Sequence, residues 1–356
     1  MMKNNYNRFT IIIPTYNRPE YLKRILSYYL HFGITILVAD SSNEIFPYID
    51  DYKNKIIYKH TPQEYFAKKV YDISKFICSP YIVMCADDDF IIPETINQII
   101  NFLEKNLTYK SGQGLYLTFS YNNNIITNTL KYKHLIGENL FEDSSYKRIL
   151  HLMGNYFHFY YSVYHTDIFV HCYENLIHEN IPIITNLNLL EIFNANYTAI
   201  NGKHIILPLL YSAREKISDS AGSYTDGMDK VISQKKYRTE YKNFINLLSE
   251  HLSKTENISF YNAKHIIKKA IRRYMNKHYS KKKKIINFIN VLKTHIKTYF
   301  VIILKNIGLY PFIYKIKSYI KPNKKSVDKS FPFSTQDLEQ WEIIKDYILQ
   351  YKYIYQ

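Results

Sequence analysis

Three consecutive carboxylates, Asp87, Asp88 and Asp89, form the part of this sequence best suited to chemistry. They follow the apolar run YIVMC at 81–85, which predicts a buried strand. Neighbouring like charges raise one another's pKa unless a cation compensates them. Mg²⁺ and Mn²⁺ prefer oxygen ligands and typically use one or two carboxylates together with substrate phosphates. The sequence therefore predicts a divalent-metal site at this trio, whereas an acidic cap on the helix beginning near Pro93 would need only one carboxylate.

Polar residues also follow the first two predicted strands. The first strand, FTIIIP at 9–14, leads into a polar turn at 15–18, and the second, ITILVAD, ends at Asp40 before a turn at 41–43. Ligands of open α/β sheets bind beyond the carboxyl ends of the strands. The two turns and the acidic trio are therefore expected on one edge of the sheet.

The elements that position these residues alternate along the chain. Apolar residues at helical spacing predict helices over 18–32 and 64–77, and a third strand is predicted around Ile56. Strand, helix, strand, strand, helix, strand is the order of an α/β fold with a mostly parallel sheet. Further strands are predicted at 115–121 and 156–164 to complete the sheet and line a pocket.

Two segments together, TIIIPTYNRPEYL at 10–22 and ADDDFIIP at 86–93, resemble the nucleotide-sugar glycosyltransferases of the GT-A fold, family 2-like. The resemblance covers about residues 8–215 and is greatest to bacterial members that build surface polysaccharides. It implies a Rossmann-like, mostly parallel sheet flanked by helices. It also implies transfer of a sugar from a nucleotide donor with the help of a bound Mn²⁺ or Mg²⁺.

The resemblance implies where the donor binds. In that family the first strand and turn contact the nucleoside, the Asp that ends the second strand reads the base, and a basic residue on the helix before the acidic motif meets the nucleotide. The implied donor contacts are Pro14, Thr15, Tyr16, Asn17, Arg18, Asp40, Lys69, Asp87 and Asp88. The metal is implied on the diphosphate, held by Asp87 and Asp89. Ala86 replaces the first Asp of the common DADD form, so the division of metal and ribose contacts among the carboxylates stays open.

Inverting members of the family also need a general base, usually a carboxylate at the start of a helix beneath the acceptor. In the corresponding segment Asn186 and Asn188 stand in place of acids, and Glu191 is the only carboxylate. A base must lie within hydrogen-bond reach of the acceptor hydroxyl to remove its proton. Glu191 is the predicted base, with Glu179 and Asp167 as rivals.

The segment LLYSAREKISDSAGS at 209–223 resembles the family's closing strand and the loop over the donor. Arg214 in this segment is placed to contact phosphate, and a salt bridge with a neighbouring carboxylate is an equal alternative. His158 and His165 lie in an aromatic region, where packed or solvated imidazoles are the favoured interpretation.

Basic residues are concentrated in the last third of the chain. The formal net charge is +16, and residues 226–356 contain 27 Lys and Arg against 10 Asp and Glu. Residues 257–327 contain 18 basic residues and no carboxylate. Basic and apolar residues occupy opposite helical faces over 260–275 and 285–303, which predicts amphipathic basic helices. We therefore expect a GT-A domain at 1–225 and a basic helical region at 226–356 that binds an anionic membrane surface or the acceptor.

Cysteine spacing and hydropathy predict the compartment. Cys78, Cys85 and Cys172 have no CxxC spacing and predict neither a disulfide framework nor a zinc site, as in a reducing environment. The first apolar stretch is too short for a secretory signal, and no run is apolar enough to span a bilayer. The expectation is a cytoplasmic protein, peripheral on the inner face of the plasma membrane.

The predicted function is transfer of a sugar, with a UDP-sugar favoured, to a hydroxyl of a glycan or lipid-linked glycan. The resemblance implies synthesis of a bacterial capsule, lipooligosaccharide or O-antigen, and metal-dependent, inverting transfer is favoured. A nucleic-acid-binding protein would instead use the basic third on phosphates, but it gives the acidic trio no role. A sugar nucleotidyltransferase would need a Gly-rich loop after the first strand, and PTYNRPEY contains no Gly.

Overall fold

The computed structural model describes residues 6–122, 124–131, 138–217, 224–279 and 333–355. Its strands are β1 (Phe9–Thr15), β2 (Thr35–Asp40), β3 (Ile57–His60), β4 (Tyr81–Met84), β5 (Phe90–Ile91), β6 (Tyr109–Asn122), β7 (Ile125–Lys131), β8 (Val163–His165), β9 (Ile177–His178), β10 (Ile181–Pro182) and β11 (Lys203–Glu215). Its helices are α1 (Pro19–Leu30), α2 (Ile49–Tyr52), α3 (Phe66–Ser74), α4 (Pro93–Lys105), α5 (Ser145–Gly154), α6 (Thr166–Glu174), α7 (Leu187–Asn201), α8 (Met228–Ser233), α9 (Arg238–Glu256), α10 (Phe260–Tyr279) and α11 (Thr335–Gln350).

A central sheet runs in the order β3-β2-β1-β4-β8-β6-β11-β5, with β7 paired to β6. The strands β3, β2, β1 and β4 are mutually parallel, and so are β6 and β11. Between these two groups, β8 is antiparallel to both β4 and β6. The predicted α/β architecture is confirmed, and its sheet is mixed because β8 runs against its neighbours. The strand predicted at 156–164 is reduced to its end, since β8 begins at Val163.

The Ile-rich first strand is buried along its length because both faces of the sheet are covered. Alternate side chains point to opposite faces. Ile12 lies in one apolar core, whereas Ile11 and Ile13 lie in the other. This double coverage explains why the strand is continuously apolar and not alternating.

Strand register brings the predicted polar turns to one edge. Thr15 pairs with Asp40 at the ends of β1 and β2, and β4 runs parallel to β1 with Met84 opposite Ile12. The chain leaving β4 therefore passes the end of β1. Asn17 joins the two turns, since its backbone N–H donates to Ser42 Oγ at 2.7 Å and its Oδ1 accepts from the backbone N–H of Asn43 at 3.0 Å.

The short strand β5 fixes the other side of the acidic trio. It begins immediately after Asp89 and pairs antiparallel with β11, with Phe90 opposite Ala213. This pairing places the next residues of β11, Arg214 and Glu215, beside Asp89. A contact between residues far apart in sequence thus follows from the sheet order.

Helices of the last third pack against the first part of the chain. The apolar side of α10 contacts α5 and α9 and is buried at Ala263, Ile267, Ala270 and Ile271. The apolar face predicted at 260–275 is therefore covered by protein, and the opposite basic side is exposed. The helix predicted at 285–303 lies outside the described residues. In the described ranges, no helix combines the length and apolar character needed to cross a membrane.

The helix α11 packs on the opposite face of the sheet. Its Trp341, Ile344 and Ile348 join the core that contains α1. The side chain of Asp337 accepts a hydrogen bond from the backbone N–H of Leu210 in β11 at 2.9 Å. Both described parts of the last third are thus attached to the sheet domain, and the domain boundary near residue 225 stays a prediction.

Candidate active site

One half of the candidate site joins the end of β1 to the acidic trio. Thr15 Oγ1 donates a hydrogen bond to Asp87 Oδ2 at 2.6 Å. Arg18, at the start of α1, places its Nη1 3.4 Å from Asp87 Oδ1 and 3.1 Å from Asp88 Oδ2. The predicted donor residues Thr15 and Arg18 therefore meet the trio, while Tyr16 projects outward with 52% of its surface exposed.

The other half joins the trio to β11. Arg214 Nε lies 3.0 Å from Asp89 Oδ2, and the backbone N–H of Glu215 donates to Asp89 Oδ1 at 2.9 Å. Of the two alternatives for Arg214, the salt bridge with a carboxylate is thus present. Arg18 and Arg214 flank the trio from opposite sides, so the compensating charge that sequence reasoning assigned to a metal ion is partly supplied by protein.

The two flanking arginines offset only part of the cost of burying the charged carboxylates of the trio. Burial, with repulsion from Asp88, raises the pKa of Asp87 to about 6, although Arg18 opposes this change. Burial also raises the pKa of Asp89 to about 7, and Arg214 offsets only part of the effect. A further cation would therefore be stabilised beside these carboxylates.

The donor set of the trio fits a hard divalent cation, because all its ligand atoms are carboxylate oxygens with incompletely compensated charge. Among the described residues, no group of three or more His, Cys, Asp or Glu side chains forms a metal site of its own. An ion held by one or two of these carboxylates would take its remaining ligands from phosphate oxygens and water.

Asp40 is buried at the end of β2 with both of its carboxylate oxygens engaged by protein. Oδ1 accepts from the backbone N–H of Ser42 at 2.8 Å, and Oδ2 accepts from the Tyr58 hydroxyl at 2.6 Å. The predicted contact of Asp40 with a base would therefore add to existing hydrogen bonds or involve the neighbouring turn.

Lys69 is a buried cation on α3 that ties two strand ends together. Its Nζ donates to the Thr15 carbonyl at 2.7 Å and to Ser41 Oγ at 2.8 Å. Burial lowers the pKa of Lys69 to about 8, although the charge of Asp87 opposes the change. The prediction that Lys69 meets the nucleotide stays a prediction, while its contacts give it a role in holding the edge of the sheet.

Glu191 lies on α7 in a separate cavity of about 230 Å³, which Tyr274 and His278 of α10 also line. Its Oε1 accepts hydrogen bonds from the Tyr156 hydroxyl at 2.8 Å and from His158 Nδ1 at 2.9 Å. Burial alone would raise the pKa of Glu191, but its contacts, with His158 the strongest, lower it to about 2. The carboxylate is therefore ionised at neutral pH.

The rivals of Glu191 lie elsewhere. Asp167 is exposed in the first turn of α6, and Glu179 is exposed in the turn between β9 and β10. Asn186 caps α7 by accepting a hydrogen bond from the backbone N–H of Leu189 at 3.0 Å. Asn186 therefore serves the helix terminus and has no acid function.

Arg214 connects the two parts of the site. It contacts Asp89 directly, and its charge also contributes to the low pKa of Glu191. Its guanidinium stands 5.3 Å from the ring centre of Tyr161, whose pKa burial raises and the charge of Arg214 lowers. The charge of Arg214 therefore acts on both the carboxylate trio and Glu191.

Sequence reasoning missed the partners of Glu191. His158 was expected to be packed or solvated, yet it forms a hydrogen bond with that carboxylate. Tyr156, two residues earlier, also donates a hydrogen bond to it. A polar pair at this spacing on an aromatic loop is a weak signal, because the same pattern is common in cores. No local signal identifies the buried Arg24–Glu215 ion pair, in which Arg24 Nη2 and Glu215 Oε2 are 2.9 Å apart.

Acidic and basic groups at the ends of parallel strands occupy the edge at which open α/β sheets bind their ligands. Residues 10–169 match the model of Glycosyl transferase family 2. The protein is accordingly a glycosyltransferase whose α/β fold is of the GT-A type. The matched region contains Asp40, Lys69 and the trio, and it ends before Glu191 and Arg214.

Solved structures of Staphylococcus aureus TarS are similar to this chain. The structure of TarS 1-349 in complex with UDP-GlcNAc has a TM-score of 0.45 at 14% identity, covering 76% of this chain and 91% of that one. The structure titled TarS 1-349 gives a TM-score of 0.43 at 14% identity, with the same coverage. A third, titled TarS, gives a TM-score of 0.42 at 16% identity, covering 75% of this chain and 54% of that one. None of the curated proteins matches the chain.

Proposed function

We propose that the protein transfers a sugar from a nucleoside diphosphate sugar, with UDP favoured, to a hydroxyl of a glycan or lipid-linked glycan. The observation that carries this proposal is that Arg214 pairs with Asp89 of an undercompensated carboxylate trio and that its charge also acts on Glu191, an ionised carboxylate in a cavity of its own. The trio and its flanking arginines would bind the diphosphate, and the cavity would bind the acceptor. The product would belong to a bacterial surface polysaccharide, such as a capsule, lipooligosaccharide or O-antigen.

The donor half of the site would act through charge. Asp87 and Asp89 are the proposed ligands of Mn²⁺ or Mg²⁺, which when bound would neutralise charge developing on the leaving diphosphate. Arg18 and Arg214 would contact the phosphates, because both guanidinium groups already lie at the trio. The turns after β1 and β2, with Asp40 between its two donors, would hold the nucleoside.

Glu191 is the proposed general base of an inverting transfer. Its carboxylate would take the proton of the acceptor hydroxyl while the hydroxyl oxygen bonds to the sugar and the diphosphate leaves. Tyr156 and His158 both donate to Oε1, so they fix the carboxylate and leave Oε2 outside these two contacts. A base oriented by two donors needs little reorganisation when the acceptor binds.

The acceptor would arrive on an anionic carrier at the membrane surface. The exposed basic residues of α10, here called the α10 basic face, are Lys268, Lys269, Arg272, Arg273 and Lys277. Tyr274 and His278 of the same helix line the Glu191 cavity. Basic residues near an anionic leaflet contribute about 1 kcal/mol each to binding. We therefore propose a peripheral position on the inner face of the plasma membrane, with the cavity close to the lipid surface.

A thermal-shift panel of UDP-, GDP- and CMP-sugars, each with and without Mn²⁺, tests the donor assignment. The proposal predicts a stabilisation by UDP-sugars that depends on Mn²⁺. Stabilisation by GDP- or CMP-sugars alone would correct the base, and the absence of any nucleotide effect would overturn the proposed donor site. Nucleic-acid binding, the alternative from sequence, would use the same α10 basic face and leaves the trio without a role.

A further inference from the structure

Tyr355, the last residue that the structure describes, contacts a buried ion pair beneath the acidic trio. Its hydroxyl accepts a hydrogen bond from Arg24 Nη1 at 2.7 Å and donates to Glu215 Oε2 at 3.1 Å. Arg24 and Glu215 form an ion pair at 2.9 Å, and their side chains are 0% and 2% exposed. The three groups come from α1, β11 and the segment after α11.

The same two residues contact the trio at two points, one on its backbone and one on a carboxylate. Arg24 Nη2 donates to the Asp88 carbonyl at 2.9 Å. The backbone N–H of Glu215 donates to Asp89 Oδ1 at 2.9 Å. Tyr355 is thus one residue removed from both Asp88 and Asp89.

Arg24 has little freedom to find other partners. Its guanidinium lies 4.9 Å from the ring centre of Tyr21 and 5.0 Å from that of Phe90. Within the described residues its buried Nε has no hydrogen-bond partner. A buried charged group that loses a partner is costly. Without the Tyr355 hydroxyl, a second nitrogen of Arg24 would lose its partner, and the guanidinium would be driven to reorient away from the Asp88 carbonyl.

Neighbouring tyrosines attach the same segment to α1 without touching this ion pair. Tyr351 and Ser27 share a hydrogen bond of 2.6 Å between their hydroxyl oxygens, and the Tyr353 hydroxyl donates to Glu20 Oε2 at 2.7 Å. Tyr353 therefore offers a matched control, because it belongs to the same segment and bonds a carboxylate on the same helix.

We infer that the segment after α11 completes the donor site, with Tyr355 as a positioning residue that holds the Asp88–Asp89 loop through Arg24 and Glu215. This inference rests on the proposed function, since it takes the loop to be the binding site of a nucleoside diphosphate. It predicts that the segment controls donor affinity from outside the matched family region.

The test compares Tyr355→Phe with Tyr353→Phe in the full chain, measuring UDP affinity by calorimetry in saturating Mn²⁺ and the melting temperature of the free protein. Losing a hydrogen bond to a charged group should weaken UDP binding about tenfold in Tyr355→Phe and by less than about twofold in Tyr353→Phe. Equal UDP affinities in the two variants, with or without a lowered melting temperature, would show that Tyr355 has a structural role only. That result would overturn this inference and leave the proposed function standing. Absence of UDP binding by the unaltered protein would overturn the proposed function and this inference together.

Discussion

Replacing Glu191 by Gln tests the assignment of the catalytic base. The substitution preserves the side-chain shape, and the amide oxygen of Gln can still accept the hydrogen bonds that Tyr156 and His158 now donate to Oε1. It removes the negative charge and the ability to take a proton. General base catalysis contributes about 10²–10⁴ in rate, so we expect the transfer rate to fall by that factor.

The cost in stability can be worked from the same site. The pKa of Glu191 falls from 4.5 to about 2, which corresponds to about 3 kcal/mol in favour of the ionised form. Because the neutral amide retains the two hydrogen bonds, the loss of folding free energy should stay below that figure. The folded variant should therefore remain available for binding measurements.

The assay measures UDP release from the preferred UDP-sugar with a bacterial glycolipid extract as acceptor, alongside UDP affinity by calorimetry. Glu191→Gln should lose turnover and retain UDP affinity. Asp167→Asn and Glu179→Gln are matched controls, because both acids are exposed away from the cavity, and they should keep full turnover. A Glu191→Gln protein with more than about a hundredth of the original rate would refute the assignment, because its loss would fall below the low end of base catalysis.

Two further outcomes follow from the charges of the site and of α10. Because burial raises the pKa of Asp87 to about 6 and that of Asp89 to about 7, both carboxylates take up protons as the pH falls through this range. UDP affinity in Mn²⁺, measured by calorimetry between pH 8 and pH 5, should therefore fall steadily on acidification, and a flat profile would contradict the raised values. Replacing the α10 basic face by Ser should abolish sedimentation with anionic vesicles and leave UDP affinity unchanged; continued sedimentation would show that another surface binds the membrane.

The edge of the sheet was predictable from sequence because strand periodicity and parallel order are local properties. Once β1, β2 and β4 are parallel and in register, Thr15, Asp40 and the trio have to lie on the same edge of the sheet. The acidic trio was also predictable as a binding site from local sequence. Like charges that follow a buried strand need a compensating cation, whatever the fold of the rest of the chain.

The basic groups that compensate the trio were harder to predict from the sequence. Arg214 reaches Asp89 only because β5 pairs antiparallel with β11, a long-range pairing that no periodicity encodes. The link from Tyr355 to Arg24 likewise joins two ends of the chain. Hydrophobic patterning does not predict such contacts, because many arginines and tyrosines that make no such contact have the same kind of neighbouring sequence.

Amphipathic patterning also does not show what covers the apolar face of a helix, which only the packing in the structure reveals. A helix with basic and apolar faces, as at 260–275, has the same sequence signature whether the apolar face meets lipid or protein. Here Ile267 and Ile271 are buried in the protein core. The membrane proposal therefore depends on charge at the surface, and insertion of this apolar face is excluded.

The most direct test of the account is the metal dependence of UDP binding in the unaltered protein and in Asp89→Asn, measured by calorimetry with and without Mn²⁺. Asn keeps one oxygen that can accept from the backbone N–H of Glu215, while its amide group replaces the charged oxygen that accepts from Arg214, so the ligand charge and that ion pair are lost together. We predict that the unaltered protein binds UDP more tightly with Mn²⁺, and that Asp89→Asn loses this gain. Equal affinities with and without Mn²⁺ in both proteins would contradict the claim that the trio holds a nucleoside diphosphate through a cation.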